Sequence, residues 1–406
     1  MRKGSCAFPA TRVHSPEQFT VTISREVSMH KSFALGTAML LGLAACAQDN
    51  NGITGPAADR AVDIAASAAV SADAPGAVYA LTNQTAGNAV AMYARAADGT
   101  LTWLGSVATG GSGAGSSLGS QGAVALSDDG RWLFAVNAGS DDISAFQITP
   151  SGLALTSRAA SGGIRPISVT VHGDVVYVLN AGGDGNISGF TVGNGGALTP
   201  IAGSTRSLSG SAVGPAQVSF SPNGRWLVVT EKATNRLDVY AVGSDGSASA
   251  ANTTASAGGT PFGFAFGHRD ELFVSEATGS ASSYAIDQSG ALALASGAVP
   301  THQGAPCWAV VTKNGKFGYT ANAQGGSISG FAIANDGSIG LIDADGRTAV
   351  VGGGNVDLAV SGNSRYLYQL TGNRSISGFR IEADGHLTAV GNVVGLPAST
   401  VGLVAR

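Results

Sequence analysis

"NAGGDGNISGF", residues 180–190, is one of four near-copies in the chain. Residues 137–146 read "NAGSDDISAF", 322–331 read "NAQGGSISGF" and 371–379 read "TGNRSISGF". Each copy leaves a short apolar run, such as "WLFAVN", "VVYVLN" or "YLYQLT", passes a Gly/Asn-rich turn, and enters a second apolar run. Asp-Gly or Asn-Gly precedes several of the first runs, at 129–130, 223–224 and 314–315. Such pairs favour two-residue hairpins with positive φ at both central positions. A further Gly turn follows the second run seven times, ending at Gly99, Gly152, Gly196, Gly246, Gly290, Gly337 and Gly385. Strand, hairpin, strand, motif, strand, hairpin, strand is the order of a four-stranded antiparallel meander.

The unit length is consistent with this. The first apolar runs end at Asn83, Asn137, Asn180, Glu231, Glu276, Asn322 and Thr371, at intervals of 43 to 54 residues. Four-stranded propeller blades recur every ~40–50 residues. The runs do not alternate cleanly, as expected when both faces of each sheet pack on neighbouring sheets. Sixty glycines among 406 residues, with only 12 % charged, suit short strands and tight turns rather than long helices. The expected fold is an all-β, seven-bladed β-propeller. The unit at Asn83 lacks a strand before it, and the C-terminal "LPASTVGLVAR" resembles the first strands of other units. Residues 399–405 are therefore expected to supply the missing innermost strand and close the ring.

The propeller is assigned to residues 77–406. Before it, "MHKSFALGTAMLLGLAAC", residues 29–46, resembles a bacterial lipoprotein signal peptide: a short basic start, an apolar run, and small residues before Cys46. The sequence thus divides into a start-site extension at 1–28, a signal peptide at 29–45, and a flexible tether at 46–76. Cys46 is the expected lipidation site and the contact with the membrane. No Asp follows it at position 47 to favour the inner membrane, so the outer membrane is the expected location. Residues 1–45 hold five basic and two acidic groups, so the remainder has 17 basic and 24 acidic side chains, a net charge of −7. That balance offers no footprint for nucleic acid. Cys307 is the cysteine outside the leader region and reads as a buried thiol, with no metal-ligand or redox motif around it. No cofactor or metal motif is found, and the chain is read as a monomer.

The repeat order, with "FSPNGRWLVVTEKATNRLDVYAV" and "LSDDGRWLFAVNAGSDDISAF", resembles the lactonase family of seven-bladed propellers. That family includes 6-phosphogluconolactonases and carboxymuconate-lactonising enzymes. The resemblance implies a site at one mouth of the channel, built from His, Arg and Glu of several blades. Thr230-Glu231 matches the family's Glu position. Gly214-Pro215-Ala216-Gln217 stands where the enzymes read Gly-Pro-Arg-His. Ile167-Ser168 stands for a His-Ser pair, and Asn322-Ala323-Gln324 for Asn-Arg-Gly.

In a meander blade the end of strand two and the start of strand one open on the same face. That face is expected to gather Asn137, Asn180, Glu231, Glu276 and Asn322 with Arg165, Gln217 and His302. Glu231 and Glu276 replace Asn at matching positions and are the candidate acid/base pair. The others are candidate ligand-binding residues. Asn at a turn also serves backbone geometry, and strand-end carboxylates also cap backbone. Two readings stay open: an envelope propeller binding a small polar ligand or an envelope protein, and a lactonase-type enzyme acting on a sugar or organic-acid lactone.

Overall fold

The computed structural model describes residues 76–406. The expectations for 1–75, including the signal peptide, Cys46 and all of the tether before Gly76, lie outside the described residues. Within them, seven antiparallel sheets follow one another along the chain, with no α-helix. Blade 1 comprises Gly76–Leu81, Ala89–Arg95 and Leu101–Ala108; blades 2 to 7 span 124–160, 166–207, 215–255, 261–300, 306–350 and 355–394. Inner strands pack blade upon blade in sequence, and the C-terminal strand Val401–Ala405 lies between those of blades 7 and 2.

That strand completes blade 1. It pairs antiparallel with Gly76–Leu81, in the register Val78↔Ala405, Tyr79↔Val404 and Ala80↔Leu403. Ser399 Oγ also donates to Thr82 O at 2.7 Å. The ring is closed as the C-terminal sequence suggested. The second strands Trp132–Asn137, Trp226–Glu231, Glu271–Glu276 and Tyr366–Thr371 are buried along their whole length. Burial on both faces is why their sequence does not alternate.

Two local expectations are corrected. The first hairpins are not two-residue turns. At 127–132 only Gly130 is left-handed (φ 68°), Gly130 N donates to Ser127 O, and Ser127 N to Trp132 O. The loop thus has four residues, and Asp129 contributes its side chain, accepting from Arg131 N at 2.9 Å. The outer strand of blades 3 and 6 is also broken into two pieces, Leu198–Pro200 with Arg206–Ser207 and Ile339–Leu341 with Ala349–Val350. Hydroxyls satisfy backbone at these breaks: Gly189 N donates to Ser204 Oγ at 3.0 Å and Gly330 N to Thr348 Oγ1 at 2.8 Å.

Inner strands of blades 3 to 7 share a register shift immediately after their first residue, which is Pro in four of them. Proline cannot donate to the ladder, and a bulge there re-aims the following side chains. The third residue then reaches the next blade. Ser168 Oγ accepts from Val218 N at 3.2 Å, Gln217 exchanges two bonds with Phe264 (3.0 and 2.8 Å), and Asp357 accepts from Leu403 N at 3.1 Å. Blade 5 has Gly263 at this position, and Gln121 fills the gap from across the axis. Its amide exchanges bonds with Ala309 O (2.7 Å) and Ala309 N (2.9 Å), while its own N–H donates to Ala216 O. A Cβ at Gly263 would lie 2.1 Å from Gln121 Oε1, so only glycine allows the crossing. Cys307, expected as a buried thiol, is buried but disulfide-bonded.

Candidate functional site: a cationic pocket at the channel mouth

The repeated motif builds a polar node inside each blade, and this fixes where most of the expected site residues point. Asn137 is fully buried, and its Nδ2 donates to Asp142 Oδ1 (2.6 Å) and Ser144 Oγ (2.9 Å). Ser144 Oγ passes the chain of bonds to Thr109 O of blade 1. Asn322 does the same with Ser327 and Ser329, and Asn180 with Asn186 and Ser161 O. The Ser of Ile-Ser-Gly-Phe is thus a partner for the strand-two terminus, and the three Asn side chains are turned into the blades, away from the mouth.

Glu231 and Glu276 occupy the same nodes. Glu276 is fully buried and accepts from Gly258 N, Ser256 Oγ, Ser282 Oγ and Ser280 Oγ at 2.6 to 3.0 Å. A Cβ on residue 258 would meet its carboxylate at 1.9 Å, which is why Gly stands there. Glu231 is equally buried and accepts from Ser209 N (2.9 Å), Ser209 Oγ and Thr234 Oγ1. Neither residue lines a cavity at the mouth or in the channel. Both carboxylates are consumed by local donors.

Blade 4 differs from its neighbours at one position. Five other blades have Ser at the node's third-strand site (Ser144, Ser188, Ser282, Ser329, Ser377), whereas blade 4 has Asp238. Burial, reinforced by the neighbouring Glu231, pushes the Asp238 carboxyl up to about 7. Burial also opposes charge on Glu231, but hydrogen bonds from Ser209 and Thr234 outweigh it and hold its pKa below the ordinary value. Asp238 therefore carries the proton of the pair. With a raised folded pKa, its contribution is fully present below the unfolded value near 3.8 and is lost as pH rises through about 7. Asp238→Ser should accordingly leave the melting temperature nearly unchanged at pH 4 and raise it by several degrees at pH 8. Equal shifts at both pH values would contradict the shared proton.

The mouth itself presents a different set of groups. A pocket of about 250 Å³ opens between blades 3 and 4, lined by Arg165, Lys232, Asp184, Leu118, Ile167 and the glycine-rich turns 183–185 and 212–214. Arg165 comes from the lead-in to an inner strand and Lys232 from the end of a second strand, the two positions a meander brings to one face. Arg165 is left-handed (φ 55°) immediately before Pro166, an unfavourable conformation for that residue. Asp141 of blade 2 pins it there, accepting from Arg165 N at 2.7 Å. Lys232 follows Glu231 directly in sequence, but its side chain does not pair with that carboxylate. Instead its Nζ donates to Gly119 O and lies 4.8 Å from the centroid of the Phe262 ring. Burial, and then the charge of Arg165, lower its pKa to about 8.

The remaining expected residues lie elsewhere. Gln217 is in the channel wall, and His302 is exposed on the lead-in to blade 6, outside the pocket. A second cavity of about 760 Å³ opens from the opposite end of the channel, past His172, His268 and Lys313, and reaches Gln121, Gln217 and Asp357. The chain at 120–121 ties across the axis, with Ser120 bonded to Ile167 and Trp308 as well.

The model of the lactonase family of seven-bladed β-propellers matches residues 79–214 and 269–349, more than half of the chain. It passes over 215–268, the segment that holds Lys232 and Asp238. No curated protein matches the sequence. Solved structures with the same fold include a Lactobacillus plantarum protein, 19 % identical, with 82 % of this chain and 99 % of that one covered and a TM-score of 0.68. A periplasmic gluconolactonase of Pseudomonas aeruginosa is also 19 % identical, with 81 % and 99 % covered and a TM-score of 0.64. A functionally unknown protein of Desulfotomaculum acetoxidans is 14 % identical, with 81 % and 98 % covered and a TM-score of 0.64. At these identities the likeness is one of fold. The family match, seven closed blades and the repeat order together place the chain in the lactonase family of seven-bladed β-propellers.

Proposed function

We propose that this protein is an exported, outer-membrane-anchored propeller that binds a small polar ligand at the channel mouth, in the pocket between blades 3 and 4. The observation that carries the reading is the convergence of Arg165 and Lys232 on a concave site, while Glu231 and Glu276 are spent inside their blades. A second reading, a lactone-opening enzyme, is favoured by the lowered pKa of Lys232, about 8, beside the Arg165 guanidinium. A partly neutral amine is a candidate base, and the guanidinium a partner for a developing oxyanion.

A panel of sugar and organic-acid lactones, with their ring-opened acids, separates the two. Binding is followed by calorimetry and ring opening by proton release. Binding weakened at least ~10-fold by Arg165→Ala supports the site, in line with loss of a charge-assisted bond. Ligand affinity indifferent to that change places the site elsewhere. Turnover lost in Lys232→Met favours the enzyme.

Anchoring has its own chemical check. The chain contains three cysteines. Signal cleavage would remove Cys6 and acylation would consume the sulfur of Cys46, so the Cys307 disulfide belongs to the unprocessed chain and the lipidated protein carries Cys307 as a buried thiol. Cys46→Ser should release the protein from membranes, because stable anchoring depends on the acyl chains. A variant that fractionates as before rules out the lipid anchor.

A further inference from the structure

We infer that the cavity at the opposite end of the channel is a second binding site, for a neutral, largely apolar small molecule whose leading end carries a hydrogen-bond acceptor. The site is independent of the mouth pocket. The two share no lining residue, and the chain runs from Leu118 at one to Gln121 at the other, tying across the axis between them.

The inner strands make the wall. Two residues beyond the position that reaches the next blade, each strand turns a side chain to the same face. Blades 2, 5, 6 and 7 supply Ala125, Ala265, Val310 and Ala359 there, and the closing strand supplies Val404. Blades 3 and 4 have Thr170 and Ser219, but both hydroxyls are engaged on Phe220. Thr170 Oγ1 accepts from Phe220 N at 3.2 Å, and Ser219 Oγ donates to Phe220 O at 3.3 Å. The wall is therefore apolar, and its alanines leave room at the axis. The volume of about 760 Å³ falls within the ~300–1,000 Å³ of small-molecule sites. From Ser221 near the rim to Gln217 at the floor, the strand descends about 13 Å at ~3.3 Å per residue.

The floor is polar and offers donors. The Gln217 and Gln121 amides each spend their oxygen and one N–H on the backbone of Phe264 and Ala309. Each keeps a second N–H without a partner among the described residues. Asp357 accepts from Leu358 N at 2.8 Å and Leu403 N at 3.1 Å, and joins no ion pair among the described residues. Burial pushes its carboxyl well up, favouring the acid form with an O–H to donate. Unmatched donors at the end of an apolar-walled cavity are complementary to an acceptor on a ligand. A cation would have to pass Lys313 and Arg406 at the entrance, and an anion would have to face the Asp357 carboxyl. A neutral molecule meets neither cost.

Fluorescence titration with Prodan, a neutral naphthalene bearing a propionyl carbonyl at one end, tests this. The full chain is purified with Cys46→Ser, so that no lipid or detergent competes for the probe. Saturable binding with emission shifted to shorter wavelength is expected. Ala265→Trp and Val310→Trp fill the cavity from two different blades, and each should weaken binding at least ~10-fold, as overpacking of the occupied site implies. Prodan bound equally well by a folded Trp variant overturns the site. Displacement of Prodan from the unfilled cavity tests the chemistry, and stands even if neither Trp variant folds. The ketone 4-phenylcyclohexanone should displace it, phenylcyclohexane should do so roughly 3- to 10-fold less well for want of the acceptor, and protonated 4-phenylcyclohexylamine least well. Equal displacement by ketone and hydrocarbon refutes the acceptor. Displacement best by the amine makes Asp357 a counter-ion and overturns the neutral ligand. If Prodan does not bind and the ketone gives no heat in calorimetry at about 1 mM, the weak end of specific binding, the inference falls and the mouth reading is untouched.

Discussion

Deleting residues 399–406 should lower the melting temperature by roughly 10–20 °C or prevent folding altogether. The strand Val401–Ala405 buries Val401 and Leu403 and pairs with Gly76–Leu81. Its loss resembles two or more core truncations at ~2–5 kcal/mol each, and ~1 kcal/mol moves the melting temperature of a large domain by about 2–4 °C. Two secondary costs follow. Gly76–Leu81 becomes an exposed strand edge, prone to intermolecular pairing. Asp357, whose carboxyl burial already pushes up, loses the Leu403 N–H. A truncated protein that melts at the original temperature and remains monodisperse would show that the ring does not depend on this closure.

Glu276→Ala should be nearly as damaging, for a different reason. It leaves Gly258 N and the hydroxyls of Ser256, Ser280 and Ser282 without their acceptor inside blade 5. An unsatisfied buried donor costs ~1–3 kcal/mol. Hydroxyls can turn to other partners, so the total expected is about 3–5 kcal/mol, or roughly 6–20 °C in melting temperature. Glu276→Gln keeps one acceptor and should cost less. Ligand binding at the mouth, measured well below the melting transition, should be unchanged in both variants. A Glu276→Gln protein of normal stability that has lost ligand binding or turnover would restore the carboxylate to a functional role.

The fold was legible in the sequence because its determinants are local and repeat. A glycine that must be left-handed at 99, 152, 196, 246, 290, 337 and 385 advertises seven hairpins, and each has positive φ. The site was less legible. Periodicity places strand ends on a face of the ring, but not which way a terminal side chain turns. Asn137 and Glu276 turn inward because Ser144 and Ser282 wait one strand away, and the recurring Ser of the motif was the available clue. Lys232 stands beside Glu231, and nothing in its local sequence shows that its ammonium meets Gly119 O and the Phe262 ring, both remote in the chain. Gln121 gave no local clue at all: it bonds a residue 188 positions away, and only the missing side chain at Gly263 makes room for it.

We place the working face of this propeller at a cationic pocket rather than at a carboxylate pair. The most direct measurement is the pH titration of the Lys232 side-chain amine by NMR, assigned by comparison with Lys232→Arg. The expected midpoint lies near 8, lowered by burial and by Arg165, and it should move upward when a ring-opened acid that binds in calorimetry is added. An amine that titrates like an exposed lysine, near 10.4, and does not respond to that acid contradicts this placement.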